Sequence, residues 1–252
     1  MLDTILKENL VDKKPSYAIA LGILFATIGL AVSVLMFKES PSFPAVFLTT
    51  LAAIPVAMRM KTKQDKTKSI LKKYEYMIQI YSYLFFGMAI SFAIWFAILP
   101  SSLVQLLFKE QLLKFTVGYF TFGAGDFVSI VLNNVGLLLF FFLLSLFYGI
   151  GSMFLLSWNA SVLGVMWGNA IKGALAVFSP GKFIIDTITA FPYLFPEVIA
   201  YFMAAVAGFI LSVNINNKKK FNLALKEASF ILIISIVIIL IAGVIETVIL
   251  GL

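Results

Sequence analysis

Uninterrupted apolar blocks about as long as a bilayer is thick recur along this chain, and they constrain its fold more than any other feature. A helix needs about 20 mostly apolar residues to cross the hydrocarbon core. Several stretches meet that length, and short connections separate them. The overall balance agrees: 62% of the residues are hydrophobic and 12% charged. Soluble domains are near half apolar and about a quarter charged. The expected fold is all-α, a polytopic transmembrane helical bundle of about seven spans with short amphipathic interfacial helices.

The whole chain, 1–252, reads as one integral membrane domain. Residues 1–16 carry acids and lysines and do not resemble a cleaved signal peptide. Leu2, Ile5, Leu6 and Leu10 recur at helical spacing, which suits a helix lying on the cytoplasmic leaflet. Spans one to three fall within 17–99, at 17–37, 42–58 and 77–99. The core from 100 to 252 holds spans four to seven, at 128–156, 160–179, 196–215 and 229–250. The fourth is long enough to tilt or to break near Gly149 and Gly151. Residues 102–117 alternate apolar stripes with Lys109, Glu110 and Lys114, as an amphipathic helix on the outer surface would. Residues 181–195 suit a second such helix or a re-entrant segment.

Charge sets the orientation. The formal net charge of +7 comes from lysines in short connections, so topology accounts for it without nucleic acid. Of the 19 basic residues, 14 lie in three segments: the N-terminus, the loop from Arg59 to Lys73, and the connection from Lys218 to Lys226. An odd number of spans puts all three on one side. The positive-inside rule then places the N-terminus in the cytoplasm and the C-terminus outside, in a multi-pass protein of the cell membrane. The Arg59–Lys73 loop can also attract anionic headgroups.

Ionisable groups inside spans need compensation and so point to function. Lys172, Glu197 and Glu246 are three such groups. Each falls on a face of small residues at helical spacing. Ala200, Ala204, Gly208 and Ser212 line one side of span six beside Glu197. Ala160, Gly164 and Gly168 form a stripe in span five that Lys172 continues, and Ala242 and Gly243 accompany Glu246. Small residues let membrane helices approach closely. Asn133 and Asn134 open span four on the same outer side, with Asp126 and Asp186 nearby. These residues are expected to form a polar cluster just below the outer surface, with at least one Lys–Glu pairing. It serves either as a clamp between spans or as a site for a headgroup, ion or peptide. Asn159 is expected to turn or cap a helix at the junction of spans four and five. The chain has no Cys and no His, so it lacks a thiolate nucleophile, a thiolate metal site and the commonest zinc ligand. No cofactor or metal is expected.

Several of these segments together resemble the stage II sporulation protein M family. They are SIVLNNVG with Asn133 and Asn134, SWNASVLGVMWGNA, PEVIAYFMAAVAG with Glu197 and Gly208, and AGVIETVI with Glu246. The likeness is good over the last half of the chain and extends to the first half in span arrangement. Two departures stand out: Ala160 follows Asn159 where the family tends to have Gly, and no His precedes the Glu. The resemblance implies a non-enzymatic membrane component. In spore formers the family member belongs to a septal complex that recruits wall-degrading partners.

The expected function is therefore a scaffold or partner-recruiting component of an envelope or membrane-remodelling complex. The bilayer, other membrane proteins and a homo-oligomer are its expected partners, with small-residue stripes available for association. The alternative is a transporter, channel or lipid-translocating protein that uses the polar cluster. An intramembrane enzyme would have to work with Glu197, Glu246 and Lys172 alone, which is not expected.

Overall fold

The computed structural model describes residues 14–58, 69–116, 127–149, 151–176 and 180–251. These form helices α1 (Tyr17–Met36), α2 (Ser42–Met58), α3 (Ile70–Ile98), α4 (Ser101–Leu107), α5 (Lys109–Thr116), α6 (Phe127–Tyr148), α7 (Ser152–Ala176), α8 (Pro180–Asn214) and α9 (Lys218–Leu250). The described chain is all-helical. Five helical stretches are long and apolar enough to cross a membrane: α1, α3, α6, Thr189–Asn214 of α8 and Lys220–Ile249 of α9. α2 is apolar but shorter, at 17 residues. This is the architecture of a multi-pass helical membrane protein. The expected N-terminal interfacial helix, most of the Arg59–Lys73 loop and Asp126 lie outside the described residues.

α3 is the mast of the first half. α1 lies against it so closely that a Cβ on Gly22 would meet the backbone of Leu84, Gly87 and Met88. On another side α7 runs beside α3. A Cβ on Gly164 would stand 2.5 Å from Phe92 Cβ, and one on Gly168 2.6 Å from Phe96 Cβ. In the second half α8 carries α6 and α9. A Cβ on Gly208 would meet Ser145 at 2.8 Å and Leu146 N at 2.9 Å, and Gly243 faces Val131 at 3.0 Å. Ala160 and Ala204 are fully buried in the same seams. Phe202 joins the halves, with its ring 6.0 Å from Tyr81 and 5.3 Å from Phe85. The small-residue stripes are thus consumed within one chain. They do bring helices close, as their residue types require, but they are not left exposed for a partner.

Four elements differ from the sequence-based expectation, each for a local reason. The fourth span takes the break expected near Gly149 and Gly151 rather than a tilt, and so ends at Tyr148 instead of 156, because Gly149 takes a left-handed backbone (φ 62°) that terminates α6. Asn159 therefore lies inside α7 and caps nothing; its Nδ2 donates to Leu155 O at 2.8 Å. Of residues 102–117, the described part to 116 lies in two short helices that dip inward rather than one on the surface. The Phe108 ring lies 5.4 Å from that of Phe96, and buried Gln111 bridges α2 and α7. It accepts from Ser42 Oγ at 2.9 Å and donates to Ser161 Oγ at 3.0 Å. Residues 181–195 are the first half of α8, one continuous 35-residue helix. Hydropathy marks where hydrocarbon begins, and the helix runs on through that flank even though Pro192 and Pro196 lie within it.

The same over-extension builds a two-helix projection. Tyr81 Oη meets Ser152 Oγ at 3.3 Å, and Ser145 Oγ donates to Ser152 Oγ at 2.8 Å, which sets the α6–α7 turn level with Tyr81. Lys73 lies eight residues earlier on α3, about 12 Å further along at 1.5 Å per residue. There its Nζ forms a 2.8 Å salt bridge with Glu227 of α9. Tyr74 Oη donates to the same carboxylate at 2.5 Å. The first turns of α3 and α9 therefore continue together past the level of the α6–α7 turn. Asn217 caps the start of α9, its side chain accepting from Lys220 N at 3.2 Å.

Candidate functional site

The polar group with the most chemistry lies where α6, α8 and α9 meet. It starts from a period. On α6 the buried residues Asn134, Leu138, Phe141 and Ser145 recur every three or four positions. That face turns toward α8, so Asn134 arrives with the apolar residues below it. On α8, Glu197 sits one turn before Tyr201 and one turn after Tyr193, and all three are buried.

The contacts follow from those faces. Asn134 Nδ2 donates to Glu197 Oε1 at 2.5 Å. Tyr201 Oη donates to Asn134 Oδ1 at 3.1 Å, and its ring stacks on Phe141 at 5.5 Å and 6°. Asn133 Nδ2 reaches the same Oδ1 at 3.3 Å, although Asn133 itself is exposed. Glu246 of α9, partly buried, lies beside Glu197 and completes the group. Asn134 lies seven residues into α6, about 10 Å from its start.

Lys172 does not belong to this group. Its Nζ donates to Leu99 O at 3.0 Å and stands 6.0 Å from the centre of the Phe96 ring. It thus caps the carbonyl end of α3, where a cation is favoured. The expected Lys–Glu pairing inside the cluster is replaced by a Glu–Glu contact and an amide. The reason is the α6–α7 break: α7 packs along α3, and Lys172 goes with it. Among the described residues the salt bridge is Lys73–Glu227. Gly164, Gly168, Ala160, Ala204, Gly208 and Gly243 serve as packing residues in the seams already described, and Ser212 lies 3.8 Å from a Cβ built on Gly149. The side chain of Asp186 lies outside the described residues.

Three partners escaped the sequence reading. Tyr201 could have been found, since it sits four residues from Glu197 on one helix face. Glu227 could have been found as the acid just before a span on the same side as Lys73. Gln111 left no such signal. Among the described residues no three His, Cys, Asp or Glu side chains gather to hold a metal ion.

The family model for Stage II sporulation protein M matches residues 82–249. The chain belongs to that family. The matched region begins within α3 and ends in α9, so it includes Asn133, Asn134, Lys172, Glu197 and Glu246. The two carboxyls and the Asn pair are thus all elements of the Stage II sporulation protein M region, whereas α1, α2 and Lys73 precede it. No curated protein and no solved structure matches the chain.

Proposed function

We propose that this member of the family is a non-enzymatic membrane scaffold, a partner-recruiting component of an envelope or membrane-remodelling complex. The observation that carries this reading is how fully the interior is committed. Every buried side-chain nitrogen and oxygen among the described residues has a hydrogen-bond partner. The small-residue seams are filled by neighbouring helices. A bundle so occupied offers partners its outer faces and its charged ends. Seven crossings with the N-terminus cytoplasmic and the C-terminus outside fit this picture. α7 keeps level with α3 from Ser152 beside Tyr81 to Lys172 beside Leu99, about 30 Å at 1.5 Å per residue. The basic residues of the projecting ends of α3 and α9 then face the cytoplasm.

A second reading has its own support. Two carboxyls in contact at depth, with an amide and two tyrosines but, among the described residues, no cation beside them, suit proton- or cation-coupled transport. Reconstitution decides between the two. In vesicles of the purified protein the scaffold reading expects ion flux and lipid scrambling at the protein-free level, unchanged by Glu197→Gln or Glu246→Gln. Flux well above that level, abolished by either substitution, would replace scaffolding with transport. Capture of partners in mild detergent then identifies what the scaffold holds.

A further inference from the structure

α6 carries a second periodic face, opposite the one buried against α8. Asn133, Gly136, Phe140, Leu143 and Phe147 follow one another at alternating steps of three and four. All five are exposed; Phe140, Leu143 and Phe147 show 49%, 42% and 73% of their surface. Alternating three–four spacing is the pattern of a seam between two helices wound about each other with a left-handed crossing. Two members of the stripe are not what a lipid-facing surface needs. Asn133 lies six residues into a helix long and apolar enough to cross a membrane, about 9 Å from its start. One amide hydrogen goes to Asn134, and the rest of the amide is left on the outer face. One turn on, a Cβ built at Gly136 would meet nothing within 4 Å, so this glycine, unlike Gly164, Gly168 and Gly208, is not required by the packing of its own chain.

We propose that this face of α6 is a homodimer interface, occupied by α6 of a second copy of the chain. Copies inserted in the same direction are related by a two-fold axis along the membrane normal, so each residue meets its own counterpart at its own depth. An amide is both donor and acceptor, so Asn133 can satisfy Asn133 of the partner without any other chemistry. A single polar residue of this kind in an apolar seam fixes register. Gly136 lets the two backbones approach below that pair, and Phe140, Leu143 and Phe147 continue the contact. The proposal does not rest on the scaffold reading, because a transporter could dimerise in the same way.

The chain contains no cysteine, which makes the test clean. Single cysteines are introduced at Phe140, at Leu143 and, as a control, at Leu138, which is fully buried toward α8. They are oxidised in native membranes and in nanodiscs. Phe140→Cys and Leu143→Cys should give disulfide-linked dimers, and Leu138→Cys none. Asn133→Leu should lower the dimer fraction about three- to fifteenfold in affinity terms, the range of one interhelical hydrogen-bonded contact in a membrane. Gly136→Leu should lower it as well while leaving thermal stability unchanged, since its side chain meets nothing in the protomer. Single-molecule counting that finds only monomers overturns the proposal. So do cross-links to another protein in place of self, or dimers indifferent to both Asn133→Leu and Gly136→Leu.

Discussion

Asn133 and Asn134 are adjacent in sequence but lie about 100° apart on α6, Asn134 buried and Asn133 exposed, and their substitution should separate cleanly. Asn134→Leu removes the 2.5 Å bond to Glu197 and the 3.1 Å bond from Tyr201. Interhelical hydrogen bonds in membrane proteins contribute about 0.6 kcal/mol on average and about 1.7 at most. Leaving a buried acceptor or donor unpaired costs about 1–3 kcal/mol per group. Two groups are stranded here, so the loss should be about 2–6 kcal/mol. Asn133→Leu removes one 3.3 Å contact from an exposed side chain and should cost the protomer less than about 0.6 kcal/mol. Equilibrium unfolding in bicelles, by denaturant titration or steric trapping, resolves the two. The difference corresponds to at least a tenfold change in the unfolding constant. A double-mutant cycle sharpens the test. Asn134→Leu combined with Glu197→Leu should be less destabilised than the sum of the single substitutions, because the Asn134–Glu197 bond is lost only once and neither residue is left to be stranded by the other, while Tyr201 loses its partner in both Asn134 variants. The reasoning fails if the two asparagine variants lose equal stability, or if the cycle shows strict additivity.

Three further outcomes follow from the packing. Gly164→Val or Gly208→Val should destabilise by about 1–3 kcal/mol or prevent assembly, since the added atoms overlap Phe92 in one seam and Ser145 in the other; thermal aggregation in detergent reads this. Reversing the pair Lys73–Glu227, as Lys73→Glu with Glu227→Lys, should recover most of the stability that either single change loses, measured by the same melts. Lys172→Met should cost about 1 kcal/mol through the lost Leu99 bond, and exchanging Lys172 with Glu197 should rescue nothing, since the two belong to different contacts.

Much of this arrangement was legible in the residues. Apolar blocks gave the helices, and small-residue spacing gave the seams, because both follow from the helical period along one element. Glu197, Glu246 and Asn134 come together because each lies on a packing face, whereas Asn133 turns to the outer face of α6 and reaches the group only through Asn134. What failed was pairing across elements. Lys172 lies on a small-residue stripe as regular as the one beside Glu197, yet it belongs to α3, a choice made by the turn at Gly149. A single left-handed residue there shortened α6, lengthened α7 and moved Asn159 from a junction into a helix. Gln111 was invisible for another reason. An amide in a short amphipathic stretch reads as solvated, and only the contacts of Phe108 show that the stretch turns inward.

The contacts of the charged residues also have an order in time. Translation releases the chain from its N-terminus, and Leu99 precedes Lys172, Asn134 precedes Glu197, and Lys73 and Tyr74 precede Glu227. Glu246 comes last and meets Glu197. Lys172, Glu197, Glu227 and Glu246 therefore each reach the bilayer after the group that will receive them. A nascent chain built this way need never hold an uncompensated charge in lipid while awaiting a later segment, so biogenesis can proceed one hairpin at a time.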